Sequence, residues 1–179
     1  MLASCTGAAP LTDPARYDAG LWPQRPVVEL SFDVAPDLRS VTGRESVVFT
    51  PDMRACELVF RAWPNNSTMF KAGSSLIVTD TSVDGSPVTS QVIAAGAPPD
   101  APGTLIEVPL AECLGPGESV RAEVGFRLVL GADADERVGH SPGTQTAWLG
   151  SGLPLLAWVR GSGWAPRSGG PDERRDRHQ

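Results

Sequence analysis

The residues of this chain best suited to covalent chemistry are its three cysteines, Cys5, Cys56 and Cys113. An odd number of cysteines in an exported chain indicates that one of them has a separate role. Residues 2–5 read Leu-Ala-Ser-Cys, the pattern of a bacterial lipobox, in which the cysteine becomes lipid-modified. We therefore expect Cys5 to carry a lipid anchor that holds the protein at the cell membrane, facing outside the cytoplasm. The alternative is a chance match of small residues.

No charged and apolar regions of a secretion signal precede this motif, so we expect the start of the chain either to lie within a longer precursor or to be misplaced. With Cys5 assigned to the anchor, Cys56 and Cys113 are available to each other, and an oxidising envelope permits a disulfide between them. Two buried free thiols that act as small hydrophobic residues are the alternative. The sequence leaves both possibilities open.

A catalytic triad would need a histidine as its base, and the chain has only His140 and His178. A Ser-His-Asp triad could use only His140, which we expect in a loop because glycine and turn residues flank it. The neighbouring acids Asp133, Asp135 and Glu136 lack the full ligand series of a calcium loop. The sequence therefore predicts no catalytic residue, no metal site and no cofactor.

The composition argues against nucleic acid as a partner. The formal net charge of −6 would repel a phosphate backbone, and no basic stripe interleaved with aromatic residues offsets it. The 19 Gly and 17 Pro among 179 residues favour turns over long helices. No apolar run approaches the roughly 20 residues that would span a bilayer, so any membrane attachment would use the lipid.

These residues must be positioned by short runs in which apolar and polar side chains alternate, a period typical of β-strands. Residues 28–34 predict a half-buried strand that pairs with residues 41–49 as a hairpin. Glu45 lies on the apolar side of the second run, which indicates an edge strand or a bulge. A third strand is predicted to carry one apolar face, made of Cys56, Leu58, Phe60 and Ala62.

Further strands are predicted over residues 76–79 and 104–110, with a hairpin turn at Asp84-Gly85 and an exposed loop over 94–103. The clearest strand runs over residues 120–130, which places Phe126 in the core and Arg127 on the opposite face. Such a series predicts an all-β fold, an antiparallel β-sandwich.

The chain divides into three parts on these patterns. Residues 1–24 are predicted to be the lipobox-like terminus and a flexible linker, residues 25–165 the β-sandwich domain, and residues 166–179 a disordered tail. Within the domain, Trp148, Trp158 and Trp164 form a possible interaction surface for a protein partner, because indole rings bury large areas and keep a polar group. Packing on the edge of the sandwich is the alternative that we favour.

The order of several segments resembles the N-terminal β-sandwich domain of M1-family zinc aminopeptidases, especially an actinobacterial-type branch. The resemblance covers residues 26–165. It rests on Asp-Leu-Arg-Ser-Val-Thr-Gly at 37–43, Glu-Leu-Val-Phe-Arg-Ala-Trp-Pro-Asn at 57–65, Gly-Pro-Gly-Glu-Ser at 115–119, Asp-Glu-Arg-Val-Gly at 135–139, and Leu-Pro-Leu-Leu-Ala-Trp at 153–158 followed by Gly-Trp at 163–164.

The resemblance implies a domain that, in that family, precedes a catalytic domain and helps to shape the entrance of its active site. The family's His-Glu-x-x-His and Gly-x-Met-x-Asn motifs do not occur in this chain, so no catalytic residue carries over. We therefore expect a non-catalytic envelope lipoprotein that acts as a binding or scaffolding module, with a protein partner or a separate catalytic domain as its possible partner. The alternative is a truncated fragment of a zinc metallopeptidase that is inactive alone.

Overall fold

The structure, a computed structural model, describes residues 24–134 and 136–165. The predicted lipid anchor at Cys5, the tail at 166–179 and the linker apart from Gln24 lie outside these residues. In the described part, a 3-10 turn (Trp63–Asn65) and one short helix, α1 (Ser67–Lys71), accompany the strands β1 (Val27–Val34), β2 (Ser40–Phe49), β3 (Ala55–Arg61), β4 (Ser75–Val83), β5 (Ser86–Pro87), β6 (Gln91–Ile93), β7 (Leu105–Leu114), β8 (Val120–Val129), β9 (Val138–Ser141), β10 (Thr146–Leu149), β11 (Leu155–Leu156), β12 (Trp158–Val159) and β13 (Gly163–Trp164).

Two antiparallel sheets pack face to face, so the predicted all-β sandwich is confirmed. One sheet has the strand order β1-β2-β8-β4-β5 and the other has the order β11-β3-β7-β6. Two small hairpins, β9 with β10 and β12 with β13, complete the described elements. The main core lies between the two larger sheets.

Strand β8 is the central strand of the five-stranded sheet, and its predicted phase is confirmed. Phe126 is fully buried, whereas Arg127 is exposed on the other face. The predicted β1–β2 hairpin also forms, with Val27 opposite Val48 and Val34 opposite Val41. The turn at Asp84-Gly85 joins β4 to β5, and its two residues have positive φ angles of 47° and 78°. Such a pair of angles is what a tight hairpin turn requires, and Asp-Gly supplies it readily.

The predicted face of the third strand is wrong at its first residue. The register between β3 and β7 shifts between Ala55 and Glu57, where Cys56 alone on β3 lies opposite four residues of β7, residues 110–113. Such an irregularity disrupts the ladder locally and interrupts the alternation of the two faces along the strand. Ala55 is therefore buried in place of Cys56, whose side chain is exposed, while Leu58 and Phe60 keep their predicted burial.

The irregular residues of β7 that lie opposite Cys56 include Cys113. Cys56 and Cys113 form a disulfide that joins β3 to β7 across 57 residues of sequence. Disulfides persist in oxidising compartments and are rare in the cytosol. The bond therefore indicates an extracytoplasmic location for the domain.

Candidate binding surface on strand β1

Strand β1 carries an apolar row that the sandwich leaves uncovered. Its inner row, which we define as Val28, Leu30, Phe32 and Val34, faces the same side as the core residues of β2, because directly paired residues point to the same side of a sheet. These four side chains remain between 39% and 43% exposed. The predicted strand is confirmed, but its predicted half-burial is wrong, because every residue of β1 is exposed.

The strand orders of the two sheets explain the exposure. Residues of β4 line one groove together with residues of β6 and β7, so this end of the first sheet faces that end of the second. The opposite end, β1, therefore lies toward β11, which is only two residues long. A two-residue strand does not cover the eight residues of β1.

The inner row is nevertheless continuous with the core. The Phe32 ring meets the Phe126 ring edge to face, with 6.2 Å between the ring centroids. Gly43, between them on β2, makes this contact possible, because a Cβ at that position would overlap the Phe126 ring. The surface of β1 and the centre of the sandwich thus form one apolar region, which is open at β1.

Glu45 lies next to this row as a buried carboxyl group. It is opposite Leu30 on β1 and opposite Val124 on β8. The side chain is 1% exposed, and no described residue hydrogen-bonds its Oε2. Loss of hydration on burial favours the neutral acid and raises the pKa of the Glu45 carboxyl to about 8.

The sequence indicated an edge strand or a bulge at Glu45, and both are wrong. Strand β2 lies between β1 and β8, and its register with each neighbour is uninterrupted. Glu45 is in phase with the apolar residues of β2 because its side chain does point into the core. Sequence reasoning detected the anomaly but missed its meaning, since an acid in a core position is rare.

The three tryptophans predicted as an interaction surface do not all meet. Trp158 and Trp164 lie 4.7 Å apart between ring centroids, and their rings lie 5.3 and 5.6 Å from that of Phe49. Trp148 is on β10, where its Nε1 donates a hydrogen bond to the backbone carbonyl of Glu136 at 2.6 Å. In the described part of the chain its ring takes no part in these aromatic contacts. The role of the three residues in binding stays a prediction.

Asp52 holds the Trp158 end of this aromatic cluster in place. Its Oδ1 accepts a hydrogen bond from Trp158 Nε1 at 2.8 Å, and its Oδ2 accepts one from the Gly161 amide at 2.7 Å. The bond from Trp158, supported by those from Gly161 and by the charge of Arg160, holds the pKa of the Asp52 carboxyl below its ordinary value. The polar atom of Trp158 is therefore already used within the domain.

His140 lies in β9 and not in the predicted loop. It is 4% exposed, and its Nδ1 is 3.1 Å from the carbonyl oxygens of both Leu130 and Gly131. Because both neighbours are acceptors, this nitrogen carries the proton and donates to them. Asp135, from the acidic group beside it, is outside the described residues. Within residues 24–134 and 136–165 no three His, Cys, Asp or Glu side chains group as a metal site.

The groove between β4, β6 and β7 has a volume of about 380 Å³ and is also lined by Asn65. The polar atoms of Asn65 are engaged in the fold: Nδ2 donates to the carbonyls of Leu76 and Gly103, and Oδ1 accepts from the Leu76 amide. This side chain fixes the turn after β3 against β4. Among the described residues, no helix has the length and apolar character needed to cross a membrane.

The fold is similar to part of an M1 zinc metallopeptidase from Deinococcus radiodurans. One mutant of that enzyme matches with a TM-score of 0.51 at 14% identity, over 74% of this chain and 28% of that chain. The same kind of mutant bound to a Tyr-Ser-Ala substrate matches with a TM-score of 0.50 at 15% identity, over the same shares. The chain thus spans about 28% of the length of these proteins.

A carbohydrate-binding module from the Clostridium thermocellum scaffoldin cipA matches with a TM-score of 0.31 at 12% identity, over 79% of this chain and 94% of that chain. That score is too low to support a functional argument. No protein-family model matches the sequence, and no curated protein is similar to it at a significant level. At these identities the likeness to the metallopeptidases shows the fold alone.

Proposed function

We propose that this chain is a non-catalytic binding or scaffolding module of the bacterial cell envelope, built on an M1-type β-sandwich. The observation that carries the proposal is the exposed inner row of β1, which forms one apolar region with the core. Contiguous apolar surface on a soluble domain marks interaction sites. The partner favoured by the fold is a zinc metallopeptidase catalytic domain supplied by a separate chain.

A direct test titrates the purified chain with the catalytic domain of a two-domain M1 metallopeptidase that has been produced without its own sandwich. Analytical ultracentrifugation should detect a complex. Peptidase activity should come only from the catalytic domain and should be absent from this chain alone. A chain that cleaves aminoacyl substrates by itself, or that forms no complex at any accessible concentration, would overturn the proposal.

Membrane attachment through Cys5 is the second part of the proposal. The disulfide supports export, and the lipobox pattern at residues 2–5 supplies a site for acylation. Several acyl chains on one cysteine give durable attachment, whereas one chain holds marginally. In the native bacterium, the wild type and the matched control Ser4→Ala should fractionate with membranes, and Cys5→Ala should be soluble. Wild-type protein in the cytosol would contradict this part.

A second candidate function is that of a metallopeptidase fragment, inactive alone. The partial coverage favours it, since the match takes in 74% of this chain but only 28% of the enzyme. The genomic reading frame distinguishes the two candidates. A frame continuing past Gln179 into His-Glu-x-x-His would support the fragment, whereas an unrelated neighbour would support the separate module.

A further inference from the structure

Strand β1 is the open edge of the five-stranded sheet. Among the described residues it pairs with β2 alone, over all eight of its positions and without a bulge. An edge strand of this kind presents a row of unpaired backbone N–H and C=O groups that can template another strand.

Several of the features that block such an edge are missing from β1, whose only charged residues are the acids Glu29 and Asp33. Natural edges carry lysine, proline or a bulge, or they are very short. Val27–Val34 contains no lysine and no proline, and its register is regular from end to end. The edge can therefore accept a strand that extends along the whole of β1.

The two faces of β1 define what such a strand would need. Its inner row would meet apolar side chains at alternate positions of the added strand. On the opposite face lies the outer row, which we define as Glu29, Ser31 and Asp33, with two acids and no base. Cross-strand neighbours of opposite charge stabilise a sheet and like charges destabilise it, so the outward positions of the added strand should be basic.

This charge pattern disfavours a second copy of the chain. Pairing of β1 with itself would put the acidic outer rows of two copies on one face. The chain also has a formal net charge of −6, which opposes self-association. Arg121 offsets only part of the outer row, since its Nη1 is 3.9 Å from Glu29 Oε2 and both side chains are exposed.

We propose that the edge of β1 binds a partner protein by strand addition, taking an extended segment in which apolar and basic residues alternate. Main-chain hydrogen bonds supply affinity in this mode, and the alternate side chains supply specificity. The inference rests on the proposed function, because it names the site and the partner chemistry of the binding module.

The test uses the isotope-labelled full chain and a capped peptide of alternating valine and lysine, followed by nuclear magnetic resonance. Chemical-shift changes should be confined to β1 and its neighbour β2. Leu30→Asp should abolish them, because it puts an acid among the apolar contacts. The matched control Val92→Asp, at a 50% exposed valine on β6, the edge strand of the other sheet, should bind as the wild type does.

A second experiment tests the charge preference of the β1 edge. Reversal of both outer-row acids, Glu29→Lys with Asp33→Lys, should weaken the lysine peptide by about tenfold and create binding of a valine–glutamate peptide. The control Asp100→Lys with Glu112→Lys makes the same change in net charge away from β1 and should leave the preference unchanged.

Three outcomes would overturn the inference. These are shift changes centred outside β1, protection of the β1 edge by residues 1–23 in the free chain, and concentration-dependent pairing of two copies through β1. Loss of the edge site does not decide the proposed function. A catalytic domain that still binds the Leu30→Asp variant would leave the module proposal intact and refute only the site.

Discussion

Strands β1 and β8 have the same alternation of apolar and polar residues and belong to the same sheet, separated only by β2. In β8 the apolar side chains Val124, Phe126 and Leu128 are fully buried, whereas the inner row of β1 stays about two-fifths exposed. The difference comes from the facing sheet, which covers the centre of the first sheet but ends at the two-residue β11. Alternation thus identifies a strand and its two faces, but it does not show whether another layer covers the apolar face.

Glu45 lies between these two regions and should give the largest effect, through pH. Its carboxyl titrates near 4.5 in the unfolded chain and near 8 in the folded one, so the folded state holds the extra proton between these values. The free energy of unfolding should therefore fall as the pH rises from 4.5 to 8, by an amount on the order of 5 kcal/mol. Below pH 4.5 the Glu45 carboxyl is neutral in both states, and this loss of stability is absent.

The variant Glu45→Gln keeps the shape of the side chain and cannot ionise. Its free energy of unfolding, measured by urea denaturation across pH 4–9, should not show the fall between pH 4.5 and 8. Above pH 8 it should exceed that of the wild type. Glu29→Gln, at an exposed acid of the neighbouring strand, serves as the control. Parallel pH profiles for wild type and Glu45→Gln would show that Glu45 is solvated.

Phe126→Ala should come next, because it empties a fully buried aromatic site on the central strand. We expect a loss of about 3–5 kcal/mol in the free energy of unfolding. Phe32→Ala removes the same side chain from the 40% exposed inner row and should cost about 1 kcal/mol. Arg127→Ala should cost less still, because exposed charges contribute little. Equal losses at Phe126 and Phe32 would remove the contrast between centre and edge.

Removal of the disulfide should have a smaller effect than Phe126→Ala, and its effect on local dynamics should be confined to the second sheet. Its bond closes a separation of 57 residues, so replacement of both cysteines by alanine should cost about 2–4 kcal/mol. Hydrogen exchange should accelerate in β3 and β7 and stay unchanged in β1. Faster exchange in β1, with an unchanged exchange rate in β3, would mean that the edge depends on the second sheet.

Much of the fold could be predicted from the sequence, because β8, the β1–β2 hairpin and the Asp84-Gly85 turn follow from local periodicity and turn chemistry. The irregularity at residues 110–113 of β7, opposite Cys56, could not be predicted, since it arises from pairing between distant strands. Strands β9–β13 were not predicted either, because four or fewer residues are too few to show a period. The candidate site was missed for the related reason that the exposure of β1 depends on the length of β11.

The most direct test of the account compares Leu30→Asp with Leu128→Asp, the same substitution on the open and the covered apolar rows, by urea denaturation at neutral pH. We expect Leu30→Asp to stay folded, with a change in the free energy of unfolding within about 1 kcal/mol. Leu128→Asp should cost at least about 3 kcal/mol, because it buries an unpaired charge. Equal destabilisation by the two variants would contradict the account, because the inner row of β1 would then belong to the core and not to a binding surface.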